Sequence, residues 1–118
     1  MDAAELERRM EREREFWVEV APGKRLKLLR PLMDEGAAFA NDYGARALAK
    51  YLRGWEGITE ADLSAKGAAT PAEFNLAVAT LALRDNPAWT NAAAMAIFEA
   101  MKARFEATQV AEKNSPTS

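Results

Sequence analysis

Residues 16–31 read FWVEVAPGKRLKLLRP and contain the clearest secondary-structure pattern of the chain. Apolar side chains alternate with other residues on both sides of Pro22-Gly23, a pattern that predicts two β-strands joined by a tight turn. Proline fixes φ at its turn position, and the glycine after it tolerates a positive φ. Arg30-Pro31 ends the second strand, because proline cannot donate a hydrogen bond to a β-ladder. The sequence therefore predicts a β-hairpin over residues 16–30.

Two registers of this hairpin differ in the pairs that they form across the strands. A two-residue loop sets Val18 opposite Lys27. A three-residue loop sets Val18 opposite Leu28 and Glu19 opposite Lys27, which collects apolar groups on one face and an ion pair on the other. We predict this second register, with Trp17 on the polar face. Two strands alone are marginally stable in water, so the hairpin must pack on helices or pair its edge with another chain.

Residues 2–15 precede the hairpin and are rich in charge. Asp2 is a suitable helix N-cap, and Glu5 and Arg9 form a favourable pair one turn apart, so we predict a charged helix. Its apolar stripe is thin, which favours a solvated helix on the edge of the domain. The alternative is an arm that packs on a neighbouring subunit.

Helical spacing of apolar residues predicts three further helices, at about residues 39–53, 70–84 and 87–108. Thr70-Pro71 starts the second of these, and Asn86-Pro87 starts the third. In the loop before them, over residues 55–67, Thr59 and Asp62 form a weak capping-box match. The inward side chains of the last two helices are predicted to be Phe74, Val78, Leu81, Trp89, Ala93, Ile97, Met101 and Phe105.

The chain has 118 residues, enough for one domain with one modest core. We predict a mainly α fold with a small N-terminal β-hairpin, in a single helical domain over residues 16–109. A charged arm over residues 1–15 precedes it, and a disordered tail over residues 110–118 follows it. Alanine buries little area, so the core depends on large side chains, predicted as Phe16, Trp17, Trp55, Phe74, Trp89, Phe98 and Phe105.

Histidine and cysteine are both absent from the sequence. Their absence removes the usual general base near neutral pH, thiolate metal sites and disulfides. Glu56, Glu60 and Asp62 lie close together, but their spacing does not match a calcium-binding loop, and we interpret them as a solvated acidic loop. We therefore predict a non-catalytic protein with no catalytic, cofactor-binding or metal-binding residues.

The charge balance bears on the classes of partner. The formal net charge is -2, from 16 basic and 18 acidic residues, which argues against a general nucleic-acid binder. The basic residues of the hairpin favour the alternative of a DNA-binding protein, since a β-ribbon can enter a DNA groove. Nearby glutamates reduce the positive charge of the hairpin. No apolar run approaches membrane-spanning length and the N-terminus is charged, so we expect no membrane association. A cytosolic protein fits the lack of cysteine.

The tryptophans are the best candidates for partner contacts. Trp17 lies on the polar face in the predicted register, so we expect it to be partly exposed and able to anchor a partner. Trp55, flanked by glycines in a predicted loop, is next, and Trp89 is expected to pack inside. The basic hairpin residues would face an acidic protein partner. The predicted partner-binding residues are Trp17, Lys24, Arg25, Lys27 and Trp55.

The order of these short signatures resembles that of the tail assembly chaperones of long-tailed bacteriophages. Proteins of this family tend to have a Trp-Val strand, a glycine turn and a basic-apolar strand that ends in Arg-Pro, as in residues 17–31. A Trp-x-Gly-(Ile/Val) element follows, here residues 55–58, and then a proline-containing segment with phenylalanine, here residues 70–74. Helices close the chain. The pattern covers about residues 16–105 and leaves out the charged arm.

The resemblance implies a role in tail assembly within the host bacterial cytoplasm, and absence from the mature virion. Such chaperones coat the tape-measure protein, prevent its apolar helices from aggregating and present it to tail-tube protein, which implies self-association along the client. Many are made in two lengths by ribosomal frameshifting. Residues 112–114, Glu-Lys-Asn, are compatible with a slippery run of adenines, but many other codons encode the same tripeptide and the sequence alone favours an ordinary polar tail. A head–tail joining factor and a small DNA-binding regulator are the alternative functions.

Overall fold

The computed structural model describes residues 1–113 and has a mixed α+β architecture. A three-stranded antiparallel sheet has the order β1-β2-β3. Its strands are β1 (Glu15–Ala21), β2 (Lys24–Leu29) and β3 (Leu52–Glu56). The predicted N-terminal hairpin is β1 and β2, and it is extended to a three-stranded sheet by residues that the sequence assigned to a helix end and a loop.

A two-residue turn and a β-bulge set the register of the hairpin. Ala21 lies opposite Lys24 across Pro22-Gly23, and Gly23 has a φ of 74°. The register then shifts between Glu19 and Ala21, because a bulge places one extra residue in β1. The Glu19 side chain accepts a hydrogen bond from the Gly23 amide at 2.9 Å, which stabilises this end of the hairpin.

Beyond the bulge, Val18 lies opposite Leu26 and Trp17 opposite Lys27. Both registers considered from the sequence are therefore wrong, because they assumed a ladder without an extra residue. The bulge nevertheless keeps Val18, Leu26 and Leu28 on one face, and Leu26 and Leu28 are buried. The predicted division into an apolar face and a polar face, with Trp17 on the polar side, is confirmed.

The helices are α1 (Ala3–Glu13), α2 (Gly36–Asn41), α3 (Ala45–Ala49), α4 (Glu60–Leu63), α5 (Leu76–Asp85) and α6 (Pro87–Lys113). A 3-10 turn at Met33–Glu35 precedes α2. The predicted caps are confirmed at two of them. Asp2 accepts a hydrogen bond from the Glu5 amide at 2.8 Å at the start of α1, and Thr59 and Asp62 form a reciprocal capping box on α4. Arg9 pairs with Glu13 rather than with Glu5.

The helix predicted over residues 39–53 is wrong in its second half. The chain leaves the helical conformation at Asp42, whose side chain accepts a hydrogen bond from the Gly44 amide at 3.2 Å. Asparagine and aspartate often form such local turns in competition with helix. After the short α3, Leu52 begins β3, because pairing with β2 satisfies its backbone and overrides local helix preference.

The helix predicted to start at Thr70-Pro71 begins later. Pro71 forms an isolated β-bridge with Thr59, which holds this segment extended. The observed start is Leu76, where the Asn75 side chain accepts a hydrogen bond from the Val78 amide at 3.1 Å. Two N-cap signals compete within a few residues, and the long-range bridge decides between them.

The core lies between the inner face of the sheet and helices α2, α3, α5 and α6. Trp89 is buried in it, and Phe16, Trp55, Phe74 and Phe98 pack against it, as predicted. Trp17 and Phe105 do not belong to the core, since they are 40% and 54% exposed. On α5 the predicted inward residues Val78 and Leu81 face solvent instead, because the small side chains of this helix make the close helix contacts, with Ala79, Ala82 and Leu83 buried.

Helix α6 extends well past its predicted end at residue 108. Residues 102–113 are all exposed, so this end of the helix projects from the domain. The molecule is accordingly elongated, with extents of 62 × 33 × 23 Å. Residues 110–113 are helical, not disordered as predicted, whereas the rest of the predicted tail, residues 114–118, lies outside the described part of the chain.

Candidate partner-binding surface

An exposed tryptophan lies between two cations on the outer face of the sheet. Alternation along β1 and β2 places Trp17, Arg25 and Lys27 on this face, and we call these three residues the Trp17 surface. The Arg25 Cζ atom lies 4.8 Å from the centroid of the Trp17 ring, and the Lys27 Nζ atom lies 6.0 Å from it. Cation–π attraction therefore holds an aromatic ring that remains accessible to a partner.

The two cations of the Trp17 surface are both paired with carboxylates. Arg25 pairs with Glu56 on β3, and the Lys27 Nζ atom lies 2.7 Å from a carboxylate oxygen of Glu15. Exposed pairs of this kind contribute little to stability. They do reduce the positive potential of the surface, which makes an aromatic-centred contact with protein more suitable here than phosphate binding.

Lys24 and Trp55, the other two predicted partner residues, do not lie on the Trp17 surface. The Lys24 Nζ atom lies 3.3 Å from the Asp62 carboxylate beside α4. Trp55 lies opposite Leu26 on the inner face, and its indole Nε1 donates a hydrogen bond to the Ala72 carbonyl at 2.9 Å. Trp55 is thus half-buried and connects β3 to the segment before α5.

The acidic residues of the predicted loop have structural partners. The Asp62 carboxylate accepts hydrogen bonds from the Thr59 amide at 2.8 Å and from the Thr59 hydroxyl at 2.9 Å. These bonds, and then the nearby Lys24 ammonium, hold the pKa of Asp62 below its usual range. Glu60 accepts a hydrogen bond from the Thr70 hydroxyl at 3.0 Å. Within residues 1–113 no group of three or more potential ligands is placed to hold a metal ion.

Sequence reasoning missed the outward apolar face of α5. Leu76, Val78 and Leu81 are exposed, and Leu81 is 59% exposed. The signal that could have found this face is the run of alanines on the same helix, since alanine permits the closest approach to neighbouring helices. The helical spacing of its large apolar side chains, taken alone, wrongly suggests that this face of α5 packs in the core.

A second missed feature is a cleft of about 590 Å³ between α1, the 3-10 turn and α6. We call it the arginine cleft and define it by Met10, Arg14, Arg30, Leu32, Met33 and Arg104. No local spacing could have indicated it, because its arginines come from three distant parts of the chain. Met10 and Arg14 belong to the arm that the sequence described as a solvated helix, and α1 has no buried residue.

None of the helices within residues 1–113 combines the length and the apolarity required to cross a bilayer. Comparison of the chain with protein-family models, with curated proteins and with solved structures finds no match.

Proposed function

We propose that this protein is a tail assembly chaperone of a long-tailed bacteriophage, which binds the tape-measure protein and helps to recruit tail-tube protein. The proposal starts from the ordered signatures in the sequence. The observation that carries it furthest is that these separate signatures are neighbours in the fold. Residues 17–31 supply β1 and β2, and residues 55–58 supply the end of β3 and the turn after it.

Two glycines of the signatures meet at close range. Gly57 has a φ of 76°, a conformation that favours glycine, and it lies against the Gly23 turn. A Cβ atom on Gly57 would collide with the Gly23 carbonyl oxygen. The glycine turn and the Trp-x-Gly-Ile element are thus coupled by contact, which supports reading the signatures as one unit.

The exposed apolar side chains suit the binding of an extended client. A chaperone of this kind needs many weak apolar contacts rather than one deep pocket, and repeated copies along the client add avidity. Large apolar residues that exceed one-third exposure occur on several faces of the molecule, and they include Leu6, Met10, Trp17, Leu32, Met33, Leu76, Val78, Leu81, Met95, Phe105 and Val110.

The hairpin cations weigh against a DNA-binding regulator. Lys24, Arg25 and Lys27 each pair with a carboxylate of the same chain. A groove-binding ribbon uses such cations to neutralise phosphates, and here that would require breaking three ion pairs.

The proposal is tested by co-expressing the protein with the tape-measure protein encoded in the same phage or prophage genome. We expect the tape-measure protein to become soluble and to co-purify with this chain, and mass spectrometry of purified particles to find this chain absent. Presence in the particle at a fixed stoichiometry would indicate a joining factor instead. Salt-sensitive DNA binding that is lost on changing Lys24, Arg25 and Lys27 to glutamate would indicate a regulator.

A further inference from the structure

Three guanidinium groups converge in the arginine cleft. Arg14 follows α1, Arg30 follows β2 and Arg104 lies on α6, and all three line the same concave surface. The backbone fixes two of them, since the Arg30 amide donates to the Arg14 carbonyl at 2.8 Å. The cleft is therefore built on the junction of the arm, the sheet and the last helix.

The side chains of two arginines are held by neutral acceptors. Arg14 Nη1 donates to the Arg30 carbonyl at 3.0 Å, and Arg30 Nη1 donates to the Pro31 carbonyl at 2.8 Å. Within residues 1–113, no carboxylate forms an ion pair with Arg14, Arg30 or Arg104. Burial, then Arg104 and then Arg14 lower the pKa of Arg30, as expected for like charges in proximity. An anionic partner would relieve this repulsion.

Three glutamates of α1 also line the cleft, so its charge is not purely positive. Glu11 pairs with Arg53 at 3.7 Å, and Glu13 pairs with Arg9 at 3.0 Å. These two carboxylates are therefore engaged by cations that do not line the cleft. Glu7 is the remaining acid, about two helical turns before Arg14, and within residues 1–113 it forms no ion pair with an arginine of the cleft. The arginine side of the cleft thus stays available to an external carboxylate.

The cleft also offers flexible apolar side chains beside the guanidinium groups. Met10, Leu32 and Met33 line it and are 58%, 48% and 43% exposed. Methionine adapts to irregular apolar partners, and arginine binds carboxylates through paired, charge-assisted hydrogen bonds. A free inorganic anion would use the arginines only and leave these three side chains in water. A segment with carboxylates next to large apolar side chains would use both.

We propose that the arginine cleft binds an acidic amphipathic segment of another protein. Carboxylates of the segment pair with Arg14, Arg30 and Arg104, and its apolar side chains pack on Met10, Leu32 and Met33. Charge complementarity selects this occupant over a basic segment or a nucleic acid, whose phosphates lack the apolar component. The inference does not depend on the tail-chaperone role, because it follows from the cleft alone.

The test uses the full chain and a synthetic helical peptide of about 15 residues, long enough to form helix, with leucines on one stripe and glutamates beside it. We expect binding by fluorescence anisotropy, weakened by added salt. Arg104→Glu should raise the Kd at least about tenfold, since it replaces attraction by repulsion. Arg104 is exposed, so this change leaves folding intact, which a thermal melt checks.

Lys102→Glu is the matched control, because it makes the same charge reversal on the same exposed helix but outside the cleft lining. It should change the Kd by less than about twofold. A peptide with lysine in place of each glutamate should not bind the unaltered chain. The proposal is overturned if neither peptide binds, if both bind equally, or if Arg104→Glu and Lys102→Glu have equal effects. It is also overturned if inorganic phosphate binds but the glutamate peptide does not, which would make the cleft a small-anion site only.

Discussion

On the outer face of the sheet, contacts with charged groups position the side chains, and packing in the core does not. Trp17 is the clearest case, because its ring is contacted by Arg25 and Lys27 and is not enclosed by the core. Exposed cation–π contacts contribute about 0.5–1 kcal/mol each. A large aromatic ring kept accessible at so small a gain in stability is consistent with the proposed partner-binding role of Trp17.

Trp17→Ala should therefore affect association more than folding. We expect a loss of about 1 kcal/mol in the free energy of unfolding and at least about a tenfold weaker association with the client or with a second copy. Thermal melts and titration calorimetry measure the two effects. Trp55→Ala is the matched control, since its ring packs on the core and should cost about 3 kcal/mol of stability. A large loss of melting temperature in Trp17→Ala with association intact would contradict this assignment.

Asp62 makes the stability of the fold depend on pH in the acid range. Hydrogen bonds from Thr59, and then Lys24, lower the pKa of Asp62 in the folded chain. The folded state thus binds its proton less readily than the unfolded state does. The resulting stabilisation is complete above the unfolded pKa, near 3.9, and is lost as pH falls through the lower folded value.

Asp62→Asn should accordingly flatten the fall in stability below about pH 4. Denaturant unfolding at a series of pH values between neutral and acid compares the variant with the unaltered chain. Thr59→Ala removes the hydroxyl bond to Asp62 but keeps the backbone amide bond, so it should flatten the profile in the same sense and by less than Asp62→Asn does. Identical slopes in all three chains would mean that another group controls acid unfolding.

Among the elements, the hairpin turn and the turn after β3 make a close backbone contact at one end of the sheet. Gly57 approaches Gly23 so closely that a side chain has no room, whereas nothing lies within 4 Å of a Cβ atom built on Gly23. Both glycines have positive φ. A substitution at Gly23 therefore introduces backbone strain alone, whereas a substitution at Gly57 introduces the same strain and a steric clash.

Gly23→Ala should cost about 1–2 kcal/mol, the strain of placing an L-residue at positive φ. Gly57→Ala carries the same strain and must also displace the hairpin turn, so we expect a further loss of about 1–3 kcal/mol. Urea unfolding of both variants measures the difference. Equal losses would show that the two turns are not in contact.

Elements defined by local chemistry could be predicted from the sequence, and elements defined by distant partners could not. The hairpin follows from alternation and Pro22-Gly23, and the cap of α4 follows from Thr59 and Asp62. The bulge depends on how the turn and the strand fit together, and β3 forms only because β2 offers it an edge. Local sequence preferences therefore predict neither the bulge nor β3.

The candidate site divides in the same way. Alternation in β1 correctly places Trp17 on the outer face, but the bulge, and neither predicted register, sets Lys27 opposite it. Trp55 packs against the core as predicted, but it lies in a strand and not in a loop, which sets it on the inner face beside Leu26 and away from the Trp17 surface. The arginine cleft lies beyond any local pattern, since only the folded chain brings Arg104 near the arm.

At the scale of the whole molecule, the radius of gyration is 16.7 Å, against about 13.5 Å for a spherical domain of this length. Helix α1, which has no buried residue, and the exposed end of α6 both lie outside the core, in keeping with this elongated shape. No residue after Ile97 on α6 is buried, although Phe98 and Met101 pack against the core. The projecting end exposes Phe105 and Val110 to solvent and adds nothing to the core.

A chain that ends at Glu106 should therefore fold as well as the complete one. We expect the free energy of unfolding to change by less than about 0.5 kcal/mol, because residues 107–113, the described part of the removed segment, are all exposed. Binding of the acidic peptide should persist, since Arg104 remains, whereas association with the tape-measure protein should weaken through the loss of Val110 and its neighbours.

A chain that ends at Ala96 is the control: it lacks the fully buried Ile97 and should lose several kcal/mol or fail to fold. If the chain that ends at Glu106 also has a lower melting temperature than the complete chain, the end of α6 stabilises the domain and is not a free client-binding segment.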